Sequence, residues 1–156
     1  MTPAIHLRRT APADLETLFA IQSDPASNAM AGTKPRPREV FFATWAQHFQ
    51  NPLIHGCVIE TDGAIVGSIA CFQPPEGGNH VGYWIAREWW GRGVASRALA
   101  AFLEVEPRRP LHATAAQSNA ASRRILEKCG FKCTGVRMCE ETERYMAREV
   151  ASFVLE

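Results

Sequence analysis

Residues 80–96, HVGYWIAREWWGRGVAS, constrain this chain more than any other stretch. They read as a strand, a tight glycine turn and the start of a helix. Val81, Tyr83 and Ile85 alternate with their neighbours, the period of a strand. Gly91 and Gly93 flank Arg92, and beyond them Val94, Ala95, Ala98, Leu99, Phe102 and Leu103 recur at helical spacing. A glycine turn that opens a helix presents unpaired N–H groups at the positive end of a dipole, which suits phosphate. The same residues are also compatible with a plain strand–turn–helix connection. There is no G-x-x-x-x-G-K-[ST], so the turn is not a P-loop. The third glycine of G-x-G-x-x-G is missing as well, its place falling on Ser96 or Arg97.

The 156 residues predict one domain, 1–156. Charged residues make up 21% and the formal charge is +1, so nothing points to nucleic acid or a membrane surface as partner. The apolar runs are too short to span a bilayer, and MTPAIHLRRT lacks the apolar core of a secretory signal. The five cysteines, Cys57, Cys71, Cys129, Cys133 and Cys139, include no C-x-x-C pair. That argues against a disulfide framework and against zinc, so no metal is expected and the cytoplasm is the expected compartment.

In chain order, Ile5–Arg9 predicts a strand. Thr10 as cap, Pro12, Asp14 and the face Leu15, Leu18, Phe19 and Gln22 predict a helix over 12–23. Residues 24–37, with three prolines and a glycine, read as a loop. A helix over 38–49 follows, with Val40, Phe41, Thr44, Trp45 and His48 on its apolar stripe. Strands 55–60 and 64–72 flank Asp62-Gly63, a hairpin signal. After the central strand and its helix come a strand at 111–115, a helix at 119–129 stopped by Gly130, and strands at 131–139 and 148–155. The order predicts a mixed α/β domain with a mostly antiparallel sheet and helices on its faces.

Three features together resemble the GCN5-related N-acetyltransferase (GNAT) superfamily. Trp90–Ala95, W-G-R-G-V-A, is similar to the acetyl-CoA pattern [QR]-x-x-G-x-[GA], with Trp90 in place of Gln or Arg. Asn119–Phe131 reads N-x-x-S-x-x-x-x-E-K-x-G-F, and the element order follows the superfamily over essentially the whole chain. GYWI, WWGRG and the Asn-Ser-Gly-Phe helix most resemble the RimJ/RimL-like branch.

The resemblance implies a GNAT-like α/β (α+β) fold, its sheet splayed at the central strands. It also implies acetyl-CoA as co-substrate, its pyrophosphate on the N–H groups of Gly91, Arg92, Gly93, Val94, Ala95 and Ser96. The pantetheine arm would pair with Tyr83, Trp84 and Ile85, and an N–H there, that of Ile85, would stabilise the oxyanion. Asn119 would bond the pantetheine amide, or serve as a helix N-cap, or both. Ser122 is the implied acid for the leaving thiolate, with an ordinary helix hydroxyl as the alternative. Leu126 stands where many relatives carry a tyrosine acid. Glu141 aligns with the implied base, with a solvated charge in the run Glu140–Glu143 as the alternative. Arg92 either adds charge at the phosphates or is a surface arginine. Trp84, Trp89 and Trp90 are core or cleft-wall candidates. The implied reaction is direct transfer of acetyl to a primary amine, on a small molecule or a protein N-terminus, with a homodimer as candidate assembly. A CoA-binding regulatory module of the same fold, without turnover, is the alternative.

Overall fold

In the computed structural model, which describes residues 4–156, twelve regular elements alternate along the chain. They are β1 (His6–Arg9), α1 (Leu15–Gln22), α2 (Pro25–Ala31), α3 (Arg38–Gln50), β2 (His55–Thr61), β3 (Ala64–Phe72), β4 (Asn79–Ile85), α4 (Val94–Val105), β5 (Leu111–Ala116), α5 (Ala120–Lys128), β6 (Lys132–Cys139) and β7 (Arg148–Leu155). The strands form one sheet in the order β1-β2-β3-β4-β5-β7-β6. Neighbours are antiparallel except β4 and β5, which run parallel through the crossover helix α4. This is the mixed, mostly antiparallel sheet that the sequence predicts.

Alternation in the strands sorts the side chains onto two layers. On one face Val81 and Ile85 of β4 and Leu111, Ala113 and Ala115 of β5 pack under α4 and α5. Helix α4 contributes Val94, Ala98, Leu99 and Phe102, a stripe at intervals of three and four whose members are all buried. Each large apolar side chain fully buried there contributes about 1.5–3 kcal/mol. On the other face Leu15 and Leu18 of α1 and Phe41 of α3 cover Val58 of β2. Between β2 and β3, Asp62 and Gly63 both take positive φ, 52° and 78°, the two-residue turn whose twist matches a hairpin. Gly67 of β3 passes so close to β4 that a Cβ there would collide with the Trp84 carbonyl oxygen.

The structure differs from the sequence reading in the first third of the chain. Residues 25–31, expected as loop, form α2. Asp24 accepts from the Ser27 N–H at 2.8 Å, Pro25 opens the helix, and Gly32 closes it in the left-handed region at φ 69°. The helix is too short to show an apolar period, so its stop and start signals were all the sequence offered. Thr10 does not cap the first helix. A 3-10 turn over Pro12–Asp14 precedes α1, and Asp14 itself accepts from the Ala11 N–H at 2.7 Å. Val40 faces solvent, and the packed stripe of α3 is Phe41, Phe42 and Trp45.

Candidate active site

The parallel pair at the sheet's centre is brief. Strands β4 and β5 are in register only at Asn79 with Leu111 and His80 with His112, and then diverge. Hydrogen-bond parity shows what the divergence exposes. The Ala86 N–H donates to the Val66 carbonyl at 2.8 Å, and β3 and β4 keep one register from Phe72↔His80 to Gly67↔Ile85. Backbone groups of every second residue, Trp84 and Gly82 among them, therefore turn toward β3, whereas those of Tyr83 and Ile85 turn toward the gap. On the far side the Gln117 N–H donates to Glu149, which by the same parity turns Thr114 toward the gap. One of these groups is engaged: the Ile85 carbonyl accepts from Trp90 Nε1 at 3.0 Å. The Ile85 N–H and both backbone groups of Tyr83 line an open split, a template for an added extended chain.

At the end of the split lies the glycine turn. Gly91 and Gly93 both sit at φ 75°, the left-handed conformation that only glycine adopts without strain. Gly93 is the N-cap of α4 and offers no side chain, so the first-turn N–H groups lack a side-chain partner. Nothing lies within 4 Å of where a Cβ on Gly91 would stand, so the turn faces open space. Arg92 is exposed, with its guanidinium carbon 4.8 Å from the Trp89 ring centre, and it does not line the cleft. The cation that touches the turn from below is one the sequence reading passed over: Arg97 Nε donates to the Gly93 carbonyl at 3.3 Å.

Helix α5 supplies the opposite wall. Asn119 Oδ1 accepts from the Ser122 N–H at 3.2 Å, the N-cap role, which leaves its amide NH₂ group for the cleft that it lines. Ser122 lies one turn on, and its Oγ is 2.9 Å from the Tyr83 hydroxyl. This pairing was not legible in the sequence, where Tyr83 offered only backbone. Burial is the main influence on the Tyr83 phenol and pushes it up to about 12, against the lowering effect of the Ser122 bond. Both hydroxyls are thus protonated at neutral pH. Leu126 is buried in the core, where it also borders the cleft.

The split opens into a cleft of about 1270 Å³ that reaches both faces of the sheet. Sites for one drug-sized ligand occupy about 300–1,000 Å³, so there is room for two substrates. One end is bounded by the glycine turn and α5. The other carries Trp84, Trp45 and His48 with Arg36, Arg144 and Arg148. Trp84 donates from Nε1 to the Ile21 carbonyl at 3.3 Å, so its indole belongs to the α1 side while its backbone serves β3. His48 is held below its ordinary pKa by burial and then by Arg36, so it is a neutral imidazole at pH 7. Glu141 is not brought to the site: it is exposed, ion-paired with Lys34 at 2.5 Å, and absent from the cleft lining. Among the described residues no three metal-ligating side chains cluster, and no helix is long and apolar enough to cross a membrane.

A split parallel pair, an uncapped glycine turn and a two-sided cleft agree with comparison to known proteins. Residues 4–132 match the family model described as an acetyltransferase (GNAT) domain, and the chain belongs to that family. It is an acetyltransferase by that membership. The curated proteins give no match. Among solved structures, the fold is similar to a spermidine N-acetyltransferase from Vibrio cholerae in complex with CoA and spermine. The TM-score is 0.79 at 16% identity, over 96% of this chain and 95% of that one. RimL, a ribosomal L7/L12 alpha-N-protein acetyltransferase in complex with CoA, gives 0.75 at 16% identity, over 99% and 96%. A putative phosphinothricin N-acetyltransferase gives 0.76 at 22% identity, over 98% and 99%.

Proposed function

We propose that this chain transfers the acetyl group of acetyl-CoA to a primary amine, with the two substrates entering one cleft from opposite faces of the sheet. The observation that carries this is the split itself: the outward backbone groups of Tyr83 and Ile85, open between an uncapped helix N-terminus and the paired hydroxyls of Tyr83 and Ser122. These features fit the parts of acetyl-CoA. Backbone N–H groups from Gly91 to Ser96 suit the pyrophosphate, with Arg97 beneath them and Arg92 free to swing in from Trp89. Tyr83 and Ile85 suit the pantetheine amides as strand partners, with Trp84 packing beside them and the Asn119 amide facing them.

Acetyl-CoA supplies an activated thioester, so no covalent acyl-enzyme is required. The Ile85 N–H donates to the thioester oxygen as charge develops there. Ser122, backed by the Tyr83 hydroxyl, donates to the departing sulfur. The attacking amine must be neutral. We assign its proton to His48, which lines the cleft and is uncharged, rather than to Glu141, which would first have to leave Lys34. The amine acceptor is a small molecule or a protein N-terminus.

Thiol release from acetyl-CoA across a panel of amines, alongside calorimetry with CoA, tests the reading. CoA binding with amine-dependent release is the expected result; binding without release for any amine would leave only a regulatory module. His48→Gln should lower kcat at least tenfold and remove the acidic limb of its pH profile, whereas Glu141→Gln should leave that limb in place.

A further inference from the structure

The end of the cleft away from the glycine turn is cationic without a counter-charge. Arg36, Arg144 and Arg148 all line it, and among the described residues none of them forms an ion pair. They stand on two segments stitched together through the backbone. The Lys34 N–H donates to the Arg144 carbonyl at 2.7 Å, the Met146 N–H donates to the Gly32 carbonyl at 2.9 Å, and Thr33 bridges Tyr145. Gln22, itself buried, fixes Arg36 by accepting from its N–H at 3.0 Å and donating to its carbonyl at 3.2 Å. The backbone that carries Arg36 and Arg144 is therefore held in place before any ligand arrives.

Their side chains have spare donors. Arg144 Nη1 donates to the Lys34 carbonyl, and the guanidinium carbon lies 5.8 Å from the Trp84 ring centre; its other nitrogens have no partner among the described residues. Arg148 stacks on Tyr145 at 4.1 Å, donates from Nη1 to the Met146 carbonyl at 3.3 Å, and leaves its buried Nε unpartnered. Burial, and then Arg36, pull the Arg144 guanidinium down to about 10. The nearby acids do not compensate. Glu141 is committed to Lys34, Glu140 and Glu143 are exposed and do not border the cleft, and the one carboxylate among the lining residues, Glu127, stands across the cleft on α5. Like charges gathered in a partly desolvated site are costly unless an anion joins them.

We propose that Arg36, Arg144 and Arg148 form an oxyanion subsite, so that the acceptor is a small primary amine bearing a carboxylate, phosphonate or phosphate a few bonds from its nitrogen, as in a free amino acid. Planar guanidinium donors match such groups in pairs. The same field works against an ammonium, which favours the neutral form of the amine that must attack and repels a second cation such as a polyamine carries. The inference rests on the acetyltransferase reading, because it names the acceptor of that site.

The test uses the full chain saturated with CoA or acetyl-CoA. Free amino acids, aminoalkylphosphonates, the matching amino-acid amides, spermidine, and peptides with an acidic second residue are compared by calorimetry and by thiol release. Charge-assisted bonds of this kind predict a preference of about tenfold to a hundredfold for the oxyanionic amines over the amides. Arg144→Gln should reduce that preference by about tenfold with CoA affinity retained, and Arg36→Gln should do the same if the first variant folds poorly. Equal or tighter binding of amides or spermidine, or variants that weaken amides and amino acids alike, would overturn the inference. Peptides preferred over free amino acids would overturn the small-molecule assignment. Selective oxyanion binding with no thiol release supports the subsite and sinks the transferase reading. Release driven by spermidine or amides does the opposite.

Discussion

Ser122 and Tyr83 form the smallest unit whose behaviour can be foretold. Their hydroxyls are 2.9 Å apart, and the buried phenol stays protonated far above neutral pH. The pair acts as donors in series rather than as a base, so Ser122→Ala should lower kcat by about tenfold or more with little change in KM for acetyl-CoA. If Tyr83 works through Ser122, Tyr83→Phe added to Ser122→Ala should cost almost nothing further in kcat; additive losses would show two independent roles. At the turn, Gly93→Glu places a strained side chain and a negative charge where phosphate is proposed to sit. Acetyl-CoA affinity measured by calorimetry should fall at least a hundredfold while the far-ultraviolet spectrum is retained, and unchanged affinity would remove the phosphate from this turn.

At the scale of elements, one buried carboxylate joins pieces that the sequence kept apart. Glu106, at the C-terminal end of α4, has a side chain 2% exposed and accepts from Arg108 at 2.8 and 2.9 Å and meets His55 of β2 at 3.1 Å. The Arg108 guanidinium holds it down at about 2 against an ordinary 4.5, burial notwithstanding. Because the folded value is the lower one, the stabilisation is full above about pH 4.5 and is lost as pH falls toward 2, on the order of 3 kcal/mol in all. Urea midpoints measured from pH 5 to 2.5 should drop steeply for the wild type and much less for Glu106→Gln, which should already be weaker at pH 7; parallel curves would contradict this. Sequence reasoning found α4, β2 and α5 from period, Asp-Gly and the glycine stop at Gly130, all of which are local. It missed α2, seven residues without a period that Pro25 opens and that Asp24 and Gly32 flank. It had no access to Glu106 with His55, to Tyr83 with Ser122, or to Arg36 with Arg144, because each pair joins residues far apart in sequence and only the fold brings them together. Glu141 illustrates the converse: an alignment position can carry a carboxylate that this chain spends on Lys34.

For the molecule as a whole, the sheet is two sheets that share a short seam. Strands β1 to β4 make one half and β5, β7 and β6 the other, and the register between them covers two residue pairs. That seam, the crossover helix α4 with the packing beneath it, the Tyr83–Ser122 pair and the strap of Gly32–Lys34 on Arg144–Met146 couple the halves, and along the split itself a chain laid in would complete the ladder between them. Amide hydrogen exchange reads this directly, because parity separates neighbouring residues. The N–H groups of Gly82 and Trp84 are bonded to β3 and should exchange slowly with or without CoA. Those of Tyr83 and Ile85 face the gap and should exchange quickly in the free protein, as should that of Thr114 across from them. Adding CoA should slow Tyr83 and Ile85 by at least tenfold and change Gly82 and Trp84 far less. An even slowing across all four would mean general stabilisation instead of strand-like pairing. No change at Tyr83 or Ile85 under saturating CoA would place the pantetheine arm elsewhere and remove the Ile85 N–H from the chemistry.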